Sequence, residues 1–395
     1  MVLGALLLGW LSIAVTGANV YAATRPSVAL FLWPGHAVAE TRLADALVGA
    51  IQPGAAGPQR AQVMQAAQDA ARALQRNPTL PAAVRILAMQ AAVRNDTRQV
   101  DTLLSYSERL SRRDIPAQLW LLERRVSAND VPGALSHFGI ALQVAPSTQT
   151  LLFPVLSSAL SQADLREPIA GLVHRGDAWR SAFLYYAGEH ADPASAGTLF
   201  LLLARMGTPP EPAHFQGVIQ RLVAAGNVAG AARLYSLIDR NWRLGDGVAQ
   251  LDGSFARSND LPPFGWELNQ NVAGRGGRPD QPDNNALQVN LSPSDEEWAA
   301  RKLLLLTPGH YRLAAAYGMM DGGAGQVRFE ISCSRDGAVV ATVTGAVNRQ
   351  TGTLEGALDI PGNCAQQWLT IRTSGQSSDT SGRLWIDDLR LARQG

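Results

Sequence analysis

A 34-residue spacing constrains this chain more than any other feature. Asn95-Asp96, Asn129-Asp130 and Ala163-Asp164 fall at that interval, and Ala73-Leu74…Pro78 matches Ala141-Leu142…Pro146 at twice it. Within Asn129–Pro146 a polar dipeptide comes first. Ala134, Leu135, Phe138, Ala141 and Leu142 then recur at helical spacing, and Pro146 ends the run. A repeating unit of this kind is a helical hairpin. One hairpin leaves an apolar face that only its neighbour can cover, so the hairpins must stack.

The spacing predicts helices over Gly35–Ala50, Arg60–Gln75, Pro81–Val93, Val100–Ser111, Pro116–Ser127, Pro132–Val144 and Gln149–Ser161. The period loosens after Asp164, with helices over Arg166–Val173, Ala178–Ala187, Pro193–Met206, Pro212–Ala224 and Ala229–Ile238. Gly226-Asn227 restores the repeat-like turn. From Arg25 to Asp246 this text resembles tetratricopeptide-type repeats, although the Trp, Gly and Tyr positions usual in the first helix are mostly missing. The resemblance implies an α-solenoid with a protein partner in its groove.

At Gly245 the text changes to strand alternation punctuated by Gly, Asn, Asp and Pro. Strands are expected over Trp266–Gln270, Asn285–Leu291, Ala299–Leu306, His310–Ala316, Gln326–Cys333, Ala338–Val343, Thr353–Ile360, Gln367–Thr373 and Gly382–Leu391. Short strands without helices mean a β-sandwich or barrel. Three segments, LDGSFARSNDLPPFGWEL (Leu251–Leu268), LTPGHYRLAAAYG (Leu306–Gly318) and LWIDDLRL (Leu384–Leu391), resemble the opening, central and closing strands of jelly-roll carbohydrate-binding modules.

That second resemblance implies sites. A structural calcium would lie between the opening segment and the closing strand, with Asp252, Asp387 and Asp388 as ligands; Ala256 stands where the family has a glutamate. Sugars stack on aromatic faces, and Trp298 and Trp368 are the candidates for glycan binding. Trp266, Tyr311 and Trp385 sit where similar modules fill their core. Gly- and Asn-rich Asn271–Asn285 is a candidate rim.

The two cysteines, Cys333 and Cys364, both lie in this last third at strand ends and are expected to form a disulfide, with two buried thiols as the alternative. Val2–Ala23 is apolar and uncharged, long enough to match a bilayer core. It lacks a basic leader. A retained single-span anchor is expected, with a cleaved signal peptide as the alternative.

Charge is nearly balanced, with 34 Lys and Arg against 33 Asp and Glu. No broad basic face for nucleic acid follows. The six histidines are scattered without a metal-binding pair, and no Gly-x-Ser-x-Gly elbow occurs. The expected architecture is therefore a multidomain α + β chain: a transmembrane helix or signal peptide (1–24), an α-solenoid (25–246) and a jelly-roll β-sandwich (247–395). The expected protein is a non-enzymatic scaffold of the inner membrane, single-pass, with its soluble part in the periplasm. It would serve surface polysaccharide synthesis or export, hold a protein in the solenoid and a polysaccharide on the sandwich, and need no cofactor beyond that calcium. An envelope assembly factor binding only protein, or a carbohydrate-active enzyme, is the alternative.

Overall fold

The computed structural model describes the chain except Met1, 50–57, 240, 244–249, 257–260, 292–295, 322–323, 349–350, 376–381 and Gly395, and leaves the side chains of residues 2–6 and Pro58 undescribed. Two compact units divide at Leu152/Phe153, whereas the text changes at Gly245, which lies outside the described residues.

The first unit is helical: α1 (Val2–Tyr21), α2 (Pro26–Leu32), α3 (Ala37–Val48), α4 (Pro58–Arg76), α5 (Pro81–Val93), α6 (Thr97–Leu110), α7 (Ile115–Ser127) and α8 (Val131–Val144). Successive helices pack as pairs, α3 on α4, α5 on α6 and α7 on α8. The repeated Asn-Asp explains the hairpin. Asn95 and Asn129 take left-handed backbone, φ 58° and 54°, which stops the first helix. Asp96 Oδ1 then accepts Gln99 N at 3.0 Å, and Asp130 Oδ1 accepts Gly133 N at 3.0 Å, capping the second. Alanines at the crowded positions, among them Ala66, Ala70 and Ala83, let the backbones approach closely.

The single-span expectation is not met. Among the described residues no helix is long and apolar enough to cross a membrane, so neither the transmembrane helix nor an inner-membrane, single-pass location stands. At its C-terminal end α1 packs on protein. Ala18 and Ala22 share a core with Ala29 and Ala39. A side chain at Gly17 would come within 2.8 Å of Leu32 Cδ1, and Asn19 Oδ1 meets His36 Nε2 at 3.2 Å.

The second unit begins inside α9 (Gln149–Ala159) and continues with α10 (Arg166–Arg175), α11 (Arg180–His190), α12 (Pro193–Arg205), α13 (Pro212–Ala224) and α14 (Val228–Ile238). Gly226 (φ 77°) and Asn227, whose side chain accepts Gly230 N, repeat the stop-and-cap device. Ala163-Asp164 does not: α10 starts at Arg166 without a side-chain cap. These helices share a compact unit with the strands because aromatic rings join them. Tyr235 and Trp242 each meet Phe264, at 5.4 Å between ring centroids.

The strands are β1 (Glu267–Leu268), β2 (Ala273–Gly277), β3 (Asn285–Asn290), β4 (Glu297–Leu304), β5 (Gly309–Asp321), β6 (Gly325–Cys333), β7 (Val339–Val347), β8 (Gly352–Ile360), β9 (Gln367–Gly375) and β10 (Arg383–Arg393). They form two antiparallel five-stranded sheets, ordered β1-β4-β9-β6-β7 and β2-β3-β10-β5-β8. Alternate side chains from both fill one core, including Trp266, Leu287, Tyr311, Phe329, Ile371 and Ile386. Cys333 and Cys364 are bonded, with Cα atoms 5.4 Å apart. The bridge ties the end of β6 to the loop before β9.

Candidate functional site

On the β1-β4-β9-β6-β7 sheet, Ala300 and Leu304 of β4 and Leu369 and Ile371 of β9 point into the core. Simple alternation would send Trp298 the same way. A bulge prevents it: Trp298 pairs with Arg372 and Ala300 with Ile371, so one extra residue sits in β4. Ala299 takes the buried place, and Trp298 turns to the outer face. Trp368, opposite Leu303 on β9, reaches that face by ordinary alternation. The sheet thus brings together the two tryptophans expected to bind glycan.

Arg301 lies between them. Its guanidinium is 4.9 Å from the Trp298 ring centroid and 5.3 Å from that of Trp368. Glu267 of β1 holds it bidentately at 2.7 and 3.0 Å, which fixes the plane of the cation. Two more cross-strand pairs lie on this sheet, Arg328–Glu296 at 3.1 Å and Arg372–Glu330 at 3.5 Å. The face therefore offers half-buried indoles beside donors and acceptors whose charges are already balanced.

The opposite sheet carries a different cluster. Leu384 and Ile386 of β10 are core, so Trp385 and Asp387 point outward. Both are nevertheless buried, because the segment after β2 folds over them. Arg278 lays its guanidinium 4.1 Å from the Trp385 ring centroid. It bonds Asp280 at 2.8 Å and Asp387 at 3.2 Å, and lies 3.7 Å from Asp388. Asn284 also donates to Asp387 Oδ2, at 3.0 Å, and Asp388 N donates to Oδ1 at 2.7 Å. Burial pushes the Asp387 carboxyl above the ordinary range, against the pull of the Asp388 amide and Arg278. The Arg278 hydrogen bond holds Asp280 below it.

This donor set does not fit calcium. A calcium ion needs six or more oxygens turned toward it. Around Asp387 the positive charge is a guanidinium, and both carboxylate oxygens are already engaged. Asp252 accepts Ser254 Oγ at 3.2 Å, and its carbonyl takes the Trp266 indole N–H at 2.8 Å. Among the described residues no three acidic, His or Cys side chains come together as a metal would require. Two of the expected calcium ligands, Asp252 and Asp387, are thus engaged with other groups.

Trp266 and Tyr311 lie in the core, while Trp385 is buried on the outside under Arg278. The expected rim Asn271–Asn285 contains β2 and the residues that cover Trp385. Sequence reasoning missed Arg278, since an arginine in a Gly-, Pro- and Asp-rich turn carries no pattern.

In the helices, Ser181 Oγ and His214 Nε2 lie 2.9 Å apart. His214 Nδ1 accepts the Glu211 N–H at 3.1 Å, so the ring proton is on Nε2 and points at the serine. A general base needs the opposite tautomer; His214 instead completes the α13 helix cap with Glu211. Burial lowers the His214 pKa.

No family model matches the chain, and no curated protein does. Solved structures that resemble part of the chain include carbohydrate-binding modules. A CBM4 structure is 13% identical over 37% of this chain and 99% of its own, with a TM-score of 0.28. TmCBM61 in complex with β-1,4-galactotriose is 14% identical over 37% and 98%, TM-score 0.29. The CBM22-1 xylan-binding domain of Paenibacillus barcinonensis Xyn10C is 12% identical over 38% and 96%, TM-score 0.28. The molecule is a helical region followed by an antiparallel β-sandwich whose structural neighbours include modules of this kind.

Proposed function

We propose that the chain is a non-enzymatic adaptor in making or exporting a polysaccharide, with a glycan held on the β1-β4-β9-β6-β7 face and a protein partner held by the helical hairpins. The observation that carries the glycan half is the Trp298–Arg301–Trp368 row. Pyranose C–H faces stack on indoles, while hydroxyls bond to fixed donors and acceptors beside them. Arg301, Arg328 and Arg372, described on that face, are each paired with a glutamate, so the ligand is a neutral sugar rather than a uronate, and its binding depends little on salt.

The test is a glycan array probed with the full chain and its Trp298→Ala and Trp368→Ala variants. Each substitution is expected to weaken binding by about tenfold or more. A glycan that binds both variants as well as the parent rules out this face. Turnover of any bound glycan would overturn the non-enzymatic assignment. The second reading, an assembly factor that binds protein alone, is favoured if the folded chain retains no glycan.

A further inference from the structure

The first helices of three successive hairpins, α3, α5 and α7, line one cavity of 480 Å³ in the first unit. Its apolar wall includes Met89, Val93, Leu119 and Trp120. Its floor is polar and rigid. Arg85, only 4% exposed, donates from Nε to Asp114 at 3.0 Å and from Nη2 to Asp45 at 2.7 Å. Its Nη1 and the second oxygen of Asp45 have no hydrogen-bond partner among the described residues, and both residues line the cavity. A donor on a nearly buried arginine and an acceptor on a partly exposed aspartate thus stand side by side at the base of an apolar hollow.

The hollow is open-ended. Arg42, Asp45 and Pro116 also line a second cavity of 380 Å³, which Arg113 lines too. Ala92, Trp120 and Glu123 also line a third, of 590 Å³, beside Asn95 and Thr97. Arg42 and Arg113 at one end and Glu123 at the other make no ion pair among the described residues.

From this geometry we infer that the groove takes an extended polypeptide segment of a partner protein, bearing an apolar side chain flanked by an acidic residue on one side and a basic residue on the other. The continuous run of three cavities suits a polymer rather than a compact small molecule. Apart from Trp120 the wall is aliphatic, which suits an apolar side chain better than the flat face of a sugar ring. A main-chain carbonyl accepts from Arg85 Nη1 and the neighbouring N–H donates to Asp45, as any peptide can. The apolar anchor fills the hollow between Met89, Val93 and Trp120. The acidic residue faces Arg42 and Arg113, and the basic one faces Glu123, over the Trp120 ring. This rests on the reading of the hairpins as a protein-binding region and gives that partner its chemistry.

The full chain, immobilised, is exposed to a phage-displayed library of random peptides of about nine residues, ~30 Å when extended. Retained peptides are expected to carry acidic, apolar and basic residues in that spatial order. Trp120→Ala should weaken them about tenfold or more. Arg42→Glu should select a base in place of the acid, and Glu123→Arg an acid in place of the base. These two residues are on the surface, so circular dichroism should show unchanged folding. Trp298→Ala should leave peptide binding alone. Peptides that bind but ignore all three groove substitutions overturn the groove while leaving protein binding in place. A library yielding no peptide overturns both.

Discussion

Two arginines are nearly removed from water, one in each unit, and each is outnumbered by carboxylates. Arg85 joins α3, α5 and the residue before α7 through Asp45 and Asp114. Arg278 meets Asp280, Asp387 and Asp388. What differs is the surroundings. Arg278 is stacked on Trp385, and one of its partners, Asp387, has no exposure at all, although Asp280, which it holds bidentately, is about half exposed. Arg85 keeps one edge on an open cavity, and Asp45 remains a quarter exposed. A closed ion cluster holds a loop to a sheet. An open one is available to a ligand.

The largest effect should come from closing off Arg278. Arg278→Ala leaves Asp387 buried without its counter-charge, at a cost of about 3–5 kcal/mol, and removes the cover from Trp385. Thermal unfolding of the full chain measures it. A change below about 1 kcal/mol would mean that the cluster is incidental. Because the cation is part of the chain, a chelator should leave the parent's melting temperature unchanged.

Arg85→Ala should cost about 3 kcal/mol: water reaches Asp45, but Asp114, 7% exposed, loses its counter-charge. It should also abolish peptide retention, which Arg278→Ala should spare. Equal effects of the two on both readouts would erase the distinction between an open and a closed cluster.

Acid should separate the two folds by a smaller margin. Burial lowers the pKa of His137 and His214, both on helices. A histidine with a depressed folded pKa contributes stability above its unfolded value, ~6.5, and that contribution is lost as pH falls through the folded value. Asp387, raised in the folded state, behaves oppositely: its contribution is present at low pH and lost as pH rises. Between pH ~6.5 and ~4 the helices should therefore loosen before the sandwich. Far-UV circular dichroism of helix and near-UV signal from the sandwich tryptophans would follow the two. Simultaneous loss would contradict this order.

Much of the fold was legible. The 34-residue spacing marked the hairpins because each Asn-Asp stops one helix and caps the next, a purely local act. Strand alternation marked nine of the ten strands observed. It failed at β2, Ala-Gly-Arg-Gly-Gly, since glycines have no side chain with which to alternate. Ala163-Asp164 matched the spacing but not the device, because no asparagine or glycine precedes Asp164 to turn the chain. The apolar run at the start was read by length and hydropathy alone, whereas the C-terminal end of α1 packs on Ala29 and Ala39.

The candidate sites divide the same way. Trp298 and Trp368 could be named from residue type and neighbourhood, and their being on one face required the bulge at Ala299. The cysteine pair was legible because little else could satisfy two cysteines at strand ends. The cation beside Asp387 was not legible: Arg278 and Asp387 are 109 residues apart. By itself the sequence determined helix, strand, turn and cap, since these depend on residues within a few positions of each other. The tertiary structure alone decided which distant charges meet, which tryptophan is covered and which cavity stays open, because desolvation and pairing depend on neighbours that the chain brings together only on folding.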